Sequence, residues 1–479
     1  MSFFHGTHYR EIPTSISTPA EATAGLTVAV GTAPINMAKS PAGVNAPVIC
    51  YTYQEAVEYL GYSSDIDRYT LCQVIDTHFV LNGIAPVVFI NVVDPTKHTT
   101  QKNEQLNIEN RKIIFPKGTF KEGLKIKVTE ADQLRQLQEN NDYTLAFDDD
   151  EKLIATLVMD QQLQTQVTAE YKVLDTSLVT AADIVGGIDI NTGKSKGLEL
   201  VSAVFPTFRL VPGIVIAPKY SEDATVSAVM RAKVQGINSV FNAVTYVDVN
   251  QTEAGRYSDV PQHKNLTSLI DTYMYLCYGY GKLGEKKYAL SSLAAALSAK
   301  VDGLNGDIPY ESPSNKVLPI EAMTVNGEEV FLGLDQANYL NGQGVTTLLN
   351  FMGGWKLWGN RTSCYPDNRD VKDNVLAVRR MFNWIGNTLV MTFWDSVDDP
   401  TNKALIDRFV DSVNIWLNGL QAAGALLGGR VEFREADNPV TALLDGKIIF
   451  RLFIAPPIPA EDIEWLLEFD VSYMNALFE

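Results

Sequence analysis

The stretch Gly446–Tyr473, GKIIFRLFIAPPIPAEDIEWLLEFDVSY, decides the fold class of this chain. Its first part, Ile448–Ile454, is mostly apolar and of strand length, and the two prolines that follow at 456 and 457 end it because proline cannot donate to a sheet. Apolar and polar residues then alternate, with only Leu466 out of place, which predicts a half-buried strand. The apolar face consists of Trp465, Leu467, Phe469, Val471 and Tyr473, and the polar face of Glu464, Glu468, Asp470 and Ser472.

This second strand lies close to the C-terminus, where most chains fray, so its regular apolar face has to be covered by something. It is either an ordinary edge strand of its own domain or a strand donated to another subunit. The sequence between it and position 345 predicts two further strands and two helices, which make a thin sheet that is marginal alone. Such a thin sheet favours completion by strands from other subunits. The predicted elements are helices at Asn374–Ile385 and Asn402–Leu420, ended by Gly424, Gly428 and Gly429, and strands at Val431–Glu435 and Ile448–Ile454.

The chain before position 345 has the pattern of an α/β domain. Thr52 and Glu55 predict a capping box that opens a helix ending at Gly61. Pro86–Val93 is a nearly continuous apolar run, as expected of a strand buried on both faces. The other predicted elements are a strand at Leu26–Val30, a helix at Asp67–Leu81, a strand at Ile214–Ala217, a helix from Ser221 through Val234, a strand at Val240–Val249 and a helix at Tyr288–Val301.

A polar segment from Asp94 to Thr192 interrupts this domain, and its short alternating stretches predict an inserted β-rich unit. Its acidic run Asp148–Glu151 predicts a solvated turn, because a calcium loop needs alternating oxygen ligands, a glycine and a distal glutamate. The expected fold class is therefore multidomain α+β and α/β. The expected domains are an N-terminal extended arm at 1–24, an α/β domain at 25–95 and 196–344, a β-rich insertion at 96–195, a C-terminal core domain at 345–463 and a C-terminal strand at 464–479.

Composition excludes several classes of protein. The 479 residues carry 39 basic and 57 acidic side chains, and the net charge of −18 argues against binding to nucleic acid or to anionic membranes. The four cysteines, without a CxxC pair, are expected to be reduced and mostly buried. The N-terminus has no signal-peptide pattern and no apolar run approaches the ~20 residues of a membrane span. We therefore expect a chain that is made and folded in a cytoplasm.

No motif predicts catalysis convincingly. Gly193–Ser195 resembles the end of a phosphate loop, but the preceding glycine, Gly187, is one residue too far away. Gly279–Gly284 is a formal GxGxxG, which leaves an α/β nucleotide-dependent enzyme as the alternative function. None of the histidines has metal-ligand spacing, since His5 and His8 would point to opposite faces of an extended arm. We expect a protein that is not an enzyme and that has no cofactor or metal.

Five segments between Gly187 and Tyr473 together carry a resemblance to a known family. They are SPSNK (Ser312–Lys316), LNGQGV (Leu340–Val345), WGNRT (Trp358–Thr362), VRRMFNWI (Val378–Ile385) and GKIIFRLFIAPPIPAEDIEW (Gly446–Trp465). In order and spacing they resemble the sheath protein of contractile phage tails and related injection machines. The N-terminal arm and the inserted domain match only in general layout.

The resemblance implies a helical homopolymer of stacked six-fold rings around a separate inner tube, which contracts without ATP to drive the tube through a bacterial envelope. It implies that the α/β domain and its insertion face outward, and that the thin C-terminal sheet lies beside the tube and is completed by neighbours' strands. The residues expected to take part in strand exchange are Phe3, Phe4 and Tyr9 in the arm (about Met1–Thr18), Ile448 and Phe450 in the sheet, and Trp465, Leu467, Phe469, Val471 and Tyr473 in the C-terminal strand.

The partners implied are copies of the chain, the inner tail tube protein, the baseplate and the tail terminator, with no nucleic acid and no membrane contact. The expected location is a virion tail that is assembled in the cytoplasm of the bacterial host. A single full-length chain favours a phage or phage-derived particle over a secretion-type sheath, which is commonly split into two chains.

Overall fold

A computed structural model describes residues 23–130, 133–158, 165–190 and 192–477. Its centre is an eight-stranded sheet with six parallel strands between two antiparallel edge strands. The parallel strands are short apolar runs whose residues are almost all buried, as the sequence predicts for strands covered on both faces. The strands of the whole chain are β1 (Thr27–Gly31), β2 (Pro47–Cys50), β3 (Val87–Asn91), β4 (Thr99–Asn107), β5 (Lys112–Lys117), β6 (Lys125–Glu130), β7 (Gln133–Gln136), β8 (Tyr143–Phe147), β9 (Lys152–Leu157), β10 (Gln166–Leu174), β11 (Gly187–Ile188), β12 (Ser195–Lys196), β13 (Ile214–Ile216), β14 (Val244–Asp248), β15 (Met274–Cys277), β16 (Tyr280–Leu283), β17 (Lys286–Ala289), β18 (Ala322–Val325), β19 (Glu328–Val330), β20 (Val345–Asn350), β21 (Trp355–Trp358), β22 (Gly428–Phe433) and β23 (Phe450–Ala455).

The order of strands in the large sheet is β2-β3-β1-β13-β14-β15-β20-β21. The helices of the chain are α1 (Tyr53–Leu60), α2 (Thr70–Ile75), α3 (Ala181–Val185), α4 (Val204–Phe208), α5 (Ala224–Lys233), α6 (Val260–Leu266), α7 (Leu290–Leu304), α8 (Leu334–Asn341), α9 (Val371–Asn374), α10 (Leu376–Phe393), α11 (Lys403–Ala422) and α12 (Val440–Leu444). The Ala-rich helix α7 packs across β1, β13, β14 and β15, and nearly all its residues are buried because small side chains let it lie close to the sheet.

Several helix ends form where the sequence predicts them. Thr52 caps α1 by accepting a hydrogen bond from the Glu55 N–H at 3.2 Å, while the Glu55 carboxylate accepts one from the Tyr51 N–H at 2.7 Å. Gly61 ends the helix with φ of 75°, a conformation that favours glycine. The helix predicted at Asp67–Leu81 begins as α2 and continues in π-helical turns over Asp76–Asn82. Its position was predicted correctly, but its second half is not α-helical.

The inserted unit is a β-sandwich with a core of its own. One sheet has the order β4-β10-β6-β7 and the other β5-β9-β8, and their inner faces enclose apolar side chains such as Ile126, Tyr171 and Phe115. The acidic run between β8 and β9 is a turn, but Glu151 is not solvated as expected. Its carboxylate accepts hydrogen bonds from the Ser63 hydroxyl at 2.5 Å and from the Ser64 N–H at 2.6 Å, and so ties the insertion to the α/β domain.

The large sheet does not stop at the boundary expected between residues 344 and 345. β20 pairs in parallel with β15, and β21 pairs with β20, so residues 345–358 belong to the sheet rather than to a C-terminal unit. The helix predicted at Asn374–Ile385 is α10, which begins at Leu376 and continues to Phe393. Its Arg380 forms a fully buried ion pair with Asp302 of α7, which joins α10 to the α/β core.

The C-terminal unit proper consists of α11, the two-stranded sheet β22–β23 and the short helix α12. Trp384 of α10 packs against Trp416 of α11, with 5.6 Å between ring centroids, and so connects this unit to the rest of the molecule. Gly424 follows α11 as predicted, with φ of 78°. Gly428 and Gly429 were expected to help end the helix, but they begin β22 instead, because they pair with Ala455 and Ile454 of β23.

Candidate assembly surface

The hairpin β22–β23 presents two chemically different faces. The register places Val431 opposite Leu452 and Phe433 opposite Phe450, and these side chains lie on the face toward α11. Phe450 completes a small aromatic cluster there, 5.6 Å from Phe433 and 5.5 Å from Phe409 of α11 between ring centroids. The strands predicted at Val431–Glu435 and Ile448–Ile454 therefore pack on the helix predicted at Asn402–Leu420.

The opposite face of the hairpin carries charged residues in a row. Arg430 and Arg434 both contact Glu432, and Arg430 lies 4.2 Å above the centroid of the Phe453 ring. These two arginines hold the pKa of Glu432 below its usual range. Arg451 pairs with Asp437 at 2.5 Å, and this carboxylate raises the pKa of the guanidinium. Three arginines thus face two carboxylates on an exposed surface.

The chain after β23 leaves the hairpin instead of folding back along it. Pro456 is buried and the next residues line a groove of about 780 Å³ on the α/β domain. Glu461 forms an ion pair with Arg361, whose second donor bonds the side chain of Asn374. The other lining residues of the groove include Tyr310, Lys316, Asn338 and Trp358.

Beyond this anchor, the C-terminal segment is exposed. Leu467 has 97% of its surface accessible, and Trp465, Phe469, Val471 and Tyr473 are each at least 70% exposed. In the single chain the predicted strand does not form: residues 456–470 have no regular structure, and Val471–Leu477 is a 3-10 helix. An isolated strand has no partner for its backbone groups, so this segment needs a second strand before it can be one.

The other residues expected in strand exchange fall into two groups. Ile448 lies two residues before β23, and Phe450 is the first residue of that strand. Phe3, Phe4 and Tyr9 lie outside the described residues. The chain enters the described part at Thr23, and Arg380 donates a hydrogen bond at 3.0 Å to the carbonyl oxygen of the next residue, Ala24.

Three residues of this surface were missed from the sequence. Asn414 is a polar residue of α11 whose side-chain amide bonds the backbone of Val431. Arg361 and Glu461 are far apart in the chain, and their pairing depends on how the extension crosses the α/β domain. A run of prolines near Glu461 is a sequence sign of an extended, docked segment, but it does not identify the partner.

The glycine motifs considered for nucleotide binding are hairpin turns. Within Gly279–Gly284, residues 280–283 form β16, which pairs antiparallel with β17, and Gly284 with φ of 58° makes the turn between them. A dinucleotide site needs a glycine turn from a parallel strand into a helix, so the geometry removes the basis of the enzyme alternative. Gly187–Ile188 likewise pairs antiparallel with Ser195–Lys196.

The remaining polar candidates are structural. His78 is buried, and its Nε2 lies 3.0 Å from the Thr27 hydroxyl, while burial lowers its pKa to about 4. All four cysteines are free and buried, as predicted. Within the described ranges no cluster of three or more histidine, cysteine or acidic side chains could hold a metal ion. No helix in that part of the chain combines the length and apolarity needed to cross a membrane.

The hairpin has two strands, and the C-terminal segment exposes an apolar face that has no strand partner among the described residues. An exposed strand edge is a template for pairing with another chain. No family model matches the chain. It is 28% identical over 475 residues to the tail sheath protein of Burkholderia phage BcepMu, covering 94% of this chain and 93% of that protein. It is 27% identical over 302 residues to the major tail sheath protein of Serratia phage KSP20, covering 62% of this chain and 72% of that protein.

The fold is also similar to that of the anti-feeding prophage helical sheath in its contracted state. The TM-score is 0.59 at 14% identity, and the match covers 98% of this chain and all of the other. In sequence the chain is therefore similar to phage tail sheath proteins, and in fold it is similar to a contractile sheath.

Proposed function

We propose that this chain is the subunit of a contractile tail sheath that polymerises helically around an inner tube and, without ATP, contracts to drive that tube through a bacterial envelope. The observation that carries the proposal is the match to a phage tail sheath protein over 94% of the chain. The two-stranded sheet and the exposed C-terminal segment supply a physical means of polymerisation. The particle would be a virion tail assembled in the host cytoplasm, with tube, baseplate and terminator proteins as its other partners.

Strand exchange would join the subunits. The apolar face from Trp465 to Tyr473 would enter the thin sheet of a neighbour, and the N-terminal arm with Phe3, Phe4 and Tyr9 would enter another. A donated strand of this length forms roughly five backbone hydrogen bonds, worth about 1 kcal/mol each. Its buried apolar side chains add about 1.5–3 kcal/mol each, and ordering the chain removes much of the sum. What remains holds each subunit through a flexible link, so that subunits move without separating.

Contraction would need no nucleotide, because an extended lattice that is only kinetically stable releases free energy when subunits repack. The α/β domain and its insertion would face outward, and the C-terminal unit would lie next to the tube.

Removal of the C-terminal segment tests the proposal. A chain that ends at Glu464 should fold, because the large core lies upstream, but should fail to form the tubes that the full-length protein forms. Leu467→Asp should also reduce tube formation, because it places an unpaired charge in a buried interface. Negative-stain microscopy and size-exclusion chromatography give the readouts.

Ile190→Asp is the matched control, because Ile190 is also an apolar residue with 99% of its surface exposed, but it lies in the β11–β12 hairpin. The control protein should form normal tubes. Normal tubes from the truncated chain would refute strand exchange by the C-terminal segment, whereas compact oligomers from the intact chain would refute the sheath function itself.

A further inference from the structure

The chain that follows β23 crosses the α/β domain as a proline-rich strap, residues 456–462. Three of these seven residues, Pro456, Pro457 and Pro459, are prolines. Proline has a fixed φ and favours an extended conformation in the residue before it, so the strap is stiff and loses little conformational entropy when it docks. Three prolines also remove three backbone N–H donors. The strap is therefore poorly suited to pairing in a sheet and has to be held in another way.

Side chains hold the strap at its two ends. Pro456 is buried where the strap begins, and Glu461 forms an ion pair with Arg361 near its end. The two prolines in between are partly buried, whereas Ile458 and Ala460 are exposed. The strap thus turns its prolines toward the domain and the intervening residues toward solvent.

The groove beneath the strap has an aromatic wall whose members are fixed by polar contacts. Trp358 donates a hydrogen bond through its Nε1–H to Asn338 at 2.9 Å. The guanidinium of Arg361 lies 5.0 Å from the centroid of the Tyr365 ring, and Tyr310 is the third ring that lines the groove. Preformed aromatic grooves are the sites at which proteins recognise extended proline-rich segments.

The groove also provides a fixed positive charge for the acidic end of the strap. Arg361 bonds the Asn374 side chain with one nitrogen, which leaves another directed at the Glu461 carboxylate. Such a planar fork is suited to recognition of a carboxylate. A proline-rich segment followed by an acidic residue therefore matches the groove both in shape and in charge.

The strap covers the groove without filling it, because about 780 Å³ remains open between the strap and the domain. Four of the five segments singled out in the sequence meet here. They are Ser312–Lys316, Leu340–Val345, Trp358–Thr362 and the strap itself within Gly446–Trp465. A strap that contacts its groove mainly at its ends has few contacts to lose when it leaves.

We infer that this groove is a recognition site for a proline-rich segment followed by a carboxylate, and that the strap is a separable ligand of the groove rather than a fixed part of the fold. The strap sets the point at which the C-terminal segment leaves the domain, and its release lets that segment change direction without unfolding. The inference goes beyond the proposed function and does not rest on strand exchange, since it concerns only the residues before the exposed segment.

Binding of a free peptide to full-length protein tests it. The probe is a fluorescein-labelled peptide with the sequence of residues 455–462, APPIPAED, and its fluorescence anisotropy is measured with the supernatant after any tubes have been sedimented. In the released variant, Pro457→Gly, Pro459→Gly and Glu461→Gly remove the groups by which the chain's own strap docks. The matched control carries the same number of glycines in the same segment, as Ile458→Gly, Ala460→Gly and Asp462→Gly.

The released variant should bind the peptide at least about tenfold more tightly than the unmodified protein, in which the tethered strap has an effective concentration on the order of millimolar. The control variant should exclude the peptide as the unmodified protein does. A peptide with both Pro457→Ala and Pro459→Ala, or with Glu461→Gln, should bind the released variant several-fold more weakly.

Absence of binding to a released variant that is folded by circular dichroism would overturn the recognition site. Equal binding to all three proteins would show that the peptide binds elsewhere, and equal binding of the alanine peptide would remove the role of the prolines. If the released variant does not fold, Glu461→Arg replaces it, because this single change repels only the end that pairs with Arg361. None of these outcomes depends on tube formation, so failure here is distinct from failure of the sheath function.

Discussion

At the scale of single residues, the α/β domain contains a carboxyl group whose ionisation costs stability. Glu222 follows β13 and accepts a hydrogen bond from the Tyr280 hydroxyl at 2.6 Å. Burial raises its pKa from 4.5 to about 7; the nearby charge of Asp248 also raises it, while the Tyr280 hydroxyl and Lys219 lower it. The helix predicted from Ser221 through Val234 would place Glu222 in its first turn. The helix is capped instead by Asp223, which accepts from the N–H groups of Thr225 and Val226.

The raised pKa gives a stability prediction with a definite sign. Between pH 4.5 and 7 the folded protein binds a proton at Glu222 that the unfolded chain has released, so the free energy of unfolding falls as pH rises through this range. The full effect is at most about 3 kcal/mol. Glu222→Gln should therefore be more stable than the unmodified protein at pH 8 and lose most of that advantage at pH 4.5, as measured by urea unfolding.

Burial raises the pKa of Asp248 to about 6. The free energy of unfolding of Glu222→Gln should therefore still fall as pH rises, but less steeply than that of the unmodified protein. Glu329→Gln is the control, because Glu329 is exposed and Lys282 lowers its pKa. Equal pH dependence of stability in the Glu222→Gln and unmodified proteins would contradict the assignment.

At the scale of secondary-structure elements, the sequence was informative wherever local chemistry fixes the answer. Thr52 with Glu55 predicts α1 and the apolar run Pro86–Val93 predicts β3, and both elements form. The segment Trp465–Tyr473 shows the limit. Its alternation describes one face of a strand, but strand formation also needs a partner, which the described residues of a single chain do not provide. Asn414 could not be found because its bonds to Val431 depend on where α11 crosses β22.

The anchor at Glu461 makes a prediction at this scale. Glu461→Arg should place two positive charges together at Arg361, release the extension and reduce the yield of tubes several-fold. The double variant Arg361→Glu with Glu461→Arg should restore much of the yield, because it rebuilds the ion pair with its charges exchanged. Sedimentation of tubes measures the yield.

Asp462→Arg is the matched control, since Asp462 is the next residue, also acidic, and has no ion pair among the described residues. Unchanged assembly of Glu461→Arg, or an equal loss with Asp462→Arg, would show that the ion pair does not direct the extension.

At the scale of the whole molecule, the sequence separated the inserted unit from the α/β pattern but misjudged where the large sheet ends. Val345–Asn350 is an apolar strand by itself, and nothing local shows that it continues the sheet at β15 rather than starting a new unit. Sheet membership is a long-range property. The insertion was easier to recognise because its polar alternating strands enclose a separate core.

That separate core predicts that the insertion is dispensable for folding. Thr99 of β4 and Leu174 of β10 lie opposite each other, so residues 100–173 can be replaced by Asn-Gly, which turns the remaining strand ends into a hairpin. The shortened protein should lose the contacts of Glu151 and of Thr119 with the α/β domain, at about 1 kcal/mol per hydrogen bond, yet unfold cooperatively and still form tubes. Circular dichroism measures the cooperativity of unfolding, and negative-stain microscopy shows whether tubes form. Deleting only 100–117 is the control, because it removes β5 and all but the first residue of β4. This exposes the core around Ile126 and should lower solubility. Failure of the shortened protein to fold would mean that the insertion supports the α/β domain.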